Sequence, residues 1–183
     1  MRLTSPRIAP LQNAEMDAEQ QEIVAPMGDR VLNIFRTMIQ APKAAKGFLA
    51  WGNYVLSKKN DLPGREREIV ILRIGFLCKS GYEWTQHVPI GQRAGLTDDE
   101  VARIKVGADA PGWSPADQAL LRASDELHHD QFITSDTWAA LKAHFSDKQC
   151  MDVVFTAGQY TQVSMMLNSF GVQLDPGQTL DPD

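Results

Sequence analysis

Two ionisable side chains lie one helical turn apart in the segment CKSGYEWTQHVPIG, residues 78–91. Glu83 and His87 are four residues apart, so on a helix they share a face and can contact each other. A carboxyl group beside an imidazole can hold and transfer protons near neutral pH. The flanking aromatic residues Tyr82 and Trp84 would strengthen the coupling between them by lowering the local dielectric. The same spacing also fits an exposed ion pair, which stabilises a helix by only about 0.2–0.5 kcal/mol.

The segments that must position this pair are predicted to be helical. Apolar residues recur at three- and four-residue spacings over 41–59, as an amphipathic helix requires. The segment 63–79 begins with Pro63 and charged residues and becomes almost continuously apolar, which predicts a central helix, although its Ile and Val content would also suit a buried strand. A short break at Ser80 and Gly81 then predicts that a helix over 82–94 turns back as a hairpin.

Four further helices are predicted from their start signals. Pairs of a capping hydroxyl and an acid or amide three residues later predict helices that begin at about residues 98, 115 and 147, and another helix is expected after Ser135. The chain is therefore predicted to be all-α. Its 183 residues, of which 43% are hydrophobic, suit one buried core.

Charge and composition argue against several classes of partner. The formal net charge is −5 and the 18 Lys and Arg residues are scattered, so neither nucleic acid nor a membrane surface is an expected partner. No apolar run approaches the ~20 residues that a membrane span needs, and the N-terminal residues lack the apolar core of a secretory signal, so a cytoplasmic location is predicted. Cys78 and Cys150 are predicted to be packing residues, because two distant cysteines form neither a disulfide framework nor a CxxC motif.

Three segments together resemble the carboxymuconolactone decarboxylase-like family, within the AhpD-like superfamily. The first segment is residues 65–104, which contain the motifs REREI and EWTQH. The second is residues 120–141, which contain DELHH, and the third is residues 155–172. The resemblance, to an EWxxH subgroup, implies an AhpD-like helical bundle with a central helical hairpin that assembles as a homo-oligomer, a trimer or hexamer. It places the family domain at 30–172, between an N-terminal extension with a short helix (1–29) and a C-terminal tail (173–183), which is predicted to be loose because it is rich in Pro, Asp and Gly.

The peroxidase branch of this superfamily resembles the chain only in part. Its glutamate falls on Glu68 and its histidine on His87, but the two cysteines of its CxxCxxxH motif fall on Ser80 and Glu83. Reduction of a peroxide by a dithiol needs a thiolate and a resolving thiol, which serine and glutamate cannot supply. Cys78 is two residues away from the motif position, so it should point elsewhere.

The remaining set of Glu68, Glu83 and His87 is similar to the decarboxylase branch, whose enzymes act on a small carboxylated lactone from aromatic-compound catabolism. The resemblance implies a lyase that needs neither cofactor nor metal. His87 would protonate the carbon that loses carbon dioxide, Glu83 would orient His87, and Glu68 would serve as a second base or relay. One of the two neighbouring carboxyl groups should have a raised pKa. Isomerisation by proton transfer and lactone hydrolysis remain open.

Four residues are predicted to line the substrate pocket: Tyr82, Trp84, His128 and Tyr160. The acidic and histidine-rich run from Asp125 to Asp130 is predicted to be a solvated helix end, because adjacent histidines on a helix point about 100° apart and cannot easily share an ion. Two other functions remain open. One is an AhpD-like antioxidant protein that uses Cys78 or Cys150 as a lone peroxidatic thiol, and the other is a non-catalytic oligomeric protein that binds a small molecule.

Overall fold

The computed structural model describes residues 1–181, which form nine α-helices and no strand. This confirms the all-α prediction. The helices are α1 (Ala18–Val24), α2 (Asn33–Met38), α3 (Pro42–Leu56), α4 (Gly64–Leu77), α5 (Gly81–Arg93), α6 (Asp98–Val106), α7 (Pro115–His129), α8 (Ser135–Lys142) and α9 (Asp147–Phe170). None of the helices in this part of the chain is long and apolar enough to span a membrane.

Helix α4 is the centre of the bundle. Every residue from Glu68 to Gly75 is buried, because α5, α7 and α9 surround the helix. Its apolar run therefore forms a helix that is covered on all sides, and the alternative of a buried strand is wrong. Two polar residues of this run, Glu68 and Arg73, are buried with the apolar ones and need partners inside the protein.

The predicted helix starts are confirmed by capping interactions. Helices α6 and α9 begin with capping boxes at Thr97 and Ser146, and the hydroxyl of Ser114 accepts a hydrogen bond at the start of α7. Thr134 caps α8, which starts at Ser135. These side chains satisfy backbone N–H groups that have no partner within the helix.

The α4–α5 hairpin is also present, but its turn differs slightly from the prediction. The break comprises Cys78, Lys79 and Ser80, while Gly81 is already the first residue of α5. Lys79 adopts the left-handed conformation (φ 55°), and the N–H of Ser80 donates to the carbonyl oxygen of Gly75. This tight turn brings the first residues of α5 against the last turn of α4.

The prediction of a loose C-terminal tail is wrong for the described residues. The carboxyl group of Asp175 is buried and accepts hydrogen bonds from the hydroxyl of Tyr82 (2.6 Å) and the backbone N–H of Asn33 (2.8 Å). The acidic composition that suggested disorder instead supplies acceptors for donors on α2 and α5. Residues 182 and 183 of the predicted tail lie outside the described residues. In the N-terminal extension, the predicted short helix is α1.

Candidate active site

The imidazole of His87 is held by Glu68 across the α4–α5 hairpin. The distance from His87 Nδ1 to Glu68 Oε2 is 2.8 Å, and the two residues are 7% and 1% exposed. We take Nδ1–H as the donor, because a carboxylate oxygen can only accept; the other ring nitrogen, Nε2, is then free for chemistry. The expectation that Glu83 orients the imidazole is therefore corrected, since Glu68 on the facing helix does so.

Glu83 is a second, separately held carboxyl group. Its Oε2 accepts a hydrogen bond of 2.9 Å from the hydroxyl of Ser164 on α9, and the residue is 2% exposed. Burial raises the pKa of Glu83 well above its usual range, and the nearby Glu68 raises it further, whereas the hydrogen bond from Ser164 acts in the opposite direction. The shift favours the protonated, neutral form of Glu83, in the direction that the sequence predicted for one member of the pair.

Close packing fixes the orientation of the Glu83 carboxyl group. A Cβ atom placed on Gly75 would lie only 2.7 Å from Glu83 Oε1, so the absence of a side chain at Gly75 makes room for this oxygen. The same oxygen is buried without a hydrogen-bond partner among residues 1–181. Because a buried polar atom without a partner is costly, Oε1 is the natural place for the acid proton that a ligand or water would share.

Glu83 and His87 both line one cavity of about 210 Å³ between α2, α3, α5 and α9. Its wall is mostly apolar, which excludes competing water and strengthens electrostatic interactions inside. The apolar lining comes from Leu32, Ile34, Phe35, Phe48, Leu49, Leu56, Ile90, Val163 and Leu167. The polar lining consists of Asn53, Tyr82, Glu83, Gln86, His87, Gln159 and Tyr160. Within the described chain, no lysine or arginine contributes to the wall.

Two of the four predicted pocket residues lie in this wall. The edge of the Tyr160 ring meets the His87 ring at a centroid distance of 4.8 Å, and burial raises the pKa of the Tyr160 phenol, with Glu68 and Glu83 adding to the shift. Tyr160 therefore stays protonated and can donate a hydrogen bond. Tyr82 contributes ring surface, while its hydroxyl is engaged by Asp175.

The other two predicted pocket residues lie elsewhere. Trp84 follows Glu83 directly, which turns its side chain about 100° around α5. Its indole N–H donates to Asp181 at 2.8 Å. His128 on α7 contacts the thiol of Cys78, with 3.6 Å between Nδ1 and Sγ. The sequence spacing alone could not distinguish the two sides of α5.

Sequence reasoning missed Ser164 and Gln159, both on α9. Ser164 lies four residues after Tyr160, on the same helical face, so the spacing contained a usable indication. The acidic run in α7 serves other elements. Asp125 pairs with Arg73, and Glu126 accepts hydrogen bonds from Thr134 and Thr137. No group of three or more His, Cys, Asp or Glu residues in the described chain has a geometry that could hold a metal ion.

The part of the chain that carries the candidate site matches a known protein family. Residues 42–126, which include Glu68, Glu83 and His87, match the carboxymuconolactone decarboxylase family. No curated protein matches the chain.

Solved structures share the fold at low sequence identity. An uncharacterised peroxidase-related protein from Ralstonia eutropha, described as an alkylhydroperoxidase AhpD core, is 17% identical with a TM-score of 0.80, covering 92% of this chain and 93% of that one. A protein of unknown function from Agrobacterium tumefaciens is 23% identical with a TM-score of 0.69, covering 75% and 95%. A variant of the debrominase Bmp8 in complex with 2,3,4-tribromopyrrole is 12% identical with a TM-score of 0.74, covering 94% of each chain.

Proposed function

We propose that this chain, whose residues 42–126 match the carboxymuconolactone decarboxylase family, is an acid–base enzyme that forms an enolate on a small ring compound with a carbonyl group, such as a lactone. One observation carries the proposal: a neutral carboxylic acid, Glu83, and a histidine held by a second carboxyl group face the same apolar cavity. Groups with such different environments can act as acid and base at one pH.

His87 is the base in this proposal. Its Nε2 takes a proton from the carbon next to the carbonyl group, and the hydrogen bond from Nδ1–H to Glu68 stabilises the positive charge that develops on the ring. Return of the proton to another carbon of the enolate completes an isomerisation. If carbon dioxide leaves instead of a proton, the same enolate results, and protonated His87 supplies the proton.

Glu83 and Tyr160 are the hydrogen-bond donors to the carbonyl oxygen. Both remain protonated because burial raises their pKa values. Two neutral donors can stabilise a developing oxyanion more strongly in an apolar cavity than in water. A protonated carboxyl group paired with a tyrosine plays the same role in ketosteroid isomerase.

The charge of the wall favours an uncharged substrate. A carboxylate that enters the cavity would lose its hydration, which costs free energy unless a cation pairs with it. Among the described residues that line the cavity, His87 is the only one that could be that cation. Isomerisation of a neutral ring is therefore the first candidate. Decarboxylation of a carboxylated lactone is the second, favoured by the family match and by protonated His87 as the partner of the carboxylate.

The geometry gives little support to a thiol peroxidase. Ser80 and Glu83 occupy the positions of the two peroxidase cysteines. Burial, with a further contribution from Glu83, raises the pKa of the Cys78 thiol, whereas a peroxidatic cysteine needs a lowered one. Burial likewise raises the pKa of Cys150.

The test is hydrogen exchange at carbon in deuterated water. Neutral lactones and cyclic ketones, and their carboxylated counterparts, are incubated with the protein while NMR follows deuterium incorporation and loss of carbon dioxide. We expect His87→Gln to reduce the rate by about 10²–10⁴-fold, because it removes the proton-transfer group. The control His129→Gln changes an exposed histidine and should keep the wild-type rate.

Three outcomes would contradict the proposal. They are an unchanged rate in His87→Gln, binding of these compounds without any exchange, and consumption of peroxide that Cys78→Ser abolishes. The second would indicate the non-catalytic binding protein, and the third would indicate the antioxidant protein.

A further inference from the structure

The polar residues of the cavity wall that take no part in the acid–base chemistry differ in how their polar atoms are satisfied. The hydroxyl of Tyr82 and the amide of Gln86 both donate to Asp175, so the C-terminal segment engages them. Asn53 is exposed, and water satisfies its amide. Gln159 on α9 is the remaining member of this group, and neither explanation applies to it.

The side-chain amide of Gln159 is buried but not satisfied. The residue is 5% exposed and lines the cavity. Its Oε1 is buried and has no hydrogen-bond partner within the described chain. Because a buried polar atom without a partner lowers the stability of the fold, an amide kept in this state at a cavity wall points to a ligand that completes it.

The amide lies on the α3 side of the cavity. A Cβ atom on Gly52 of α3 would be 3.3 Å from Gln159 Nε2, so the lack of a side chain at Gly52 leaves room for the amide. Gln159 comes directly before Tyr160, so its side chain projects about 100° away from that of Tyr160 around α9. The amide and the proposed donors to the carbonyl oxygen therefore contact different parts of one ligand.

We propose that Gln159 binds a hydroxyl group of the substrate, so that the site selects a hydroxylated ring compound over the same ring without the hydroxyl group. The inference rests on the proposed function for the carbonyl group, and it adds a second functional group that the substrate carries. Gln159 is a specificity-determining residue in this account and transfers no proton.

A hydroxyl group suits the amide better than other small polar groups do. Oε1 requires a donor, which an ether oxygen or a ketone does not provide. A hydroxyl group can also accept from Nε2, so it pairs with the amide in either orientation about the last side-chain bond. A cationic amine is a donor as well, but it would lose its hydration in a mostly apolar cavity, which a single neutral acceptor does not offset.

The apolar wall makes this selection effective. A ligand without the hydroxyl group fills the cavity and leaves Oε1 unpaired, whereas the hydroxylated ligand satisfies it. Sites that bind a hydroxyl group through buried polar atoms reject analogues that lack it more strongly than apolar pockets reject a missing methylene group. The cavity volume of about 210 Å³ suits one small ring with its substituents.

The test compares ligands that differ in the donor. The compounds 3-hydroxycyclohexanone and 4-hydroxycyclohexanone are titrated into the protein beside their methyl ethers and cyclohexanone, while NMR follows the side-chain amide signal of Gln159, assigned by its loss in Gln159→Met. We expect one hydroxy ketone to bind about tenfold more tightly than its methyl ether and than cyclohexanone, as one added hydrogen bond allows. It should shift the amide signal, which the ether should leave in place.

The variant Gln159→Met replaces the amide by an apolar chain of similar length. It should bind the hydroxy ketone and its methyl ether with equal affinity. It should also unfold at a higher temperature than the wild type, measured by circular dichroism without ligand, because it leaves no buried amide unpaired. In the matched control, Gln162→Met changes an exposed glutamine three residues later on α9 and should keep the wild-type preference for the hydroxyl group.

The inference is overturned if no hydroxy ketone binds more tightly than both its methyl ether and cyclohexanone, or if Gln159→Met keeps the preference. A lower unfolding temperature in Gln159→Met would also contradict it, because the folded chain itself would then satisfy the amide. Failure of the proposed function has a different signature. The hydroxyl preference and its dependence on Gln159 persist, while none of the compounds exchanges hydrogen at carbon faster than in buffer alone.

Discussion

Two carboxyl groups of the same chemical type have different roles because their neighbours differ. Glu68 accepts a hydrogen bond from an imidazole, whereas Glu83 accepts one from the Ser164 hydroxyl and has a pKa raised mainly by burial. The four-residue spacing suggested a contact between Glu83 and His87, but the imidazole instead turns toward α4. The contact partner, and with it the division between acid and base, is a property of individual side-chain environments.

The raised pKa of Glu83 predicts a pH dependence of stability. Its pKa is raised above the ordinary value of 4.5 in the folded protein, so the folded state holds the proton more tightly than the unfolded state. This contribution to stability is complete below the ordinary value and is lost as pH rises toward the pKa of the folded state. We therefore expect thermal unfolding of the wild type to shift to lower temperature as the pH rises above the ordinary carboxyl pKa of 4.5, and Glu83→Gln to reduce that shift, because an amide does not ionise.

The measurement is the midpoint of thermal unfolding by circular dichroism over this pH range. Glu22→Gln, which changes an exposed glutamate, is the control and should follow the wild type. Parallel curves for wild type and Glu83→Gln would show that Glu83 is ionised in the folded protein.

At the scale of elements, α4 serves both the core and the site. Its side chains pack against three other helices, and it carries Glu68 on one side and Arg73 on another. The guanidinium of Arg73 pairs with Asp125 on α7 at 2.5 Å and donates to the backbone carbonyl oxygens of Ile104 and Lys105 on α6. One buried cation thus joins three helices, and it satisfies carbonyl groups near the end of α6 that have no partner within the helix.

Replacement of Arg73 should therefore be costly. We expect Arg73→Met to lower the free energy of unfolding by about 3 kcal/mol, because it leaves Asp125 and two carbonyl oxygens without their donor. Urea unfolding measures this change. In the matched control, Arg122→Met removes a more exposed ion pair with Asp109 and should cost less than about 1 kcal/mol. Equal losses in the two variants would contradict a joining role for Arg73.

At the scale of the whole molecule, the C-terminal segment is part of the structure that surrounds the site. The carboxyl group of Asp175 accepts from the backbone N–H of Asn33, the first residue of α2, and from Tyr82 and Gln86 on α5. Tyr82, Gln86 and α2 all contribute to the cavity wall. An acidic side chain at a helix N-terminus is also favoured by the helix dipole.

Loss of this carboxyl group should loosen one wall of the cavity. We expect Asp175→Ala to lower the free energy of unfolding by about 2 kcal/mol, because buried donors on α2 and α5 lose their acceptor. Urea unfolding gives the change in stability, and hydrogen exchange of the amides of α2 should become faster. Asp29→Ala, at an exposed position, is the control. Unchanged stability and exchange in Asp175→Ala would mean that the tail is not needed to hold this wall.

Assembly also belongs to this scale, and the expected trimer or hexamer stays a prediction. The same is true of the domain boundaries at residues 30 and 172.

The sequence by itself determined the helices and indicated the candidate site residues. Apolar periodicity, capping pairs and the charged start of α4 are local properties, so they predict α3 to α9 within a few residues. The resemblance pointed to Glu68, Glu83 and His87 together. The tertiary structure alone decided that Glu68 holds His87, that Trp84 and His128 lie away from the cavity, and that the tail packs. Each of these depends on contacts between residues that are far apart in the chain, and neither periodicity nor composition contains that information.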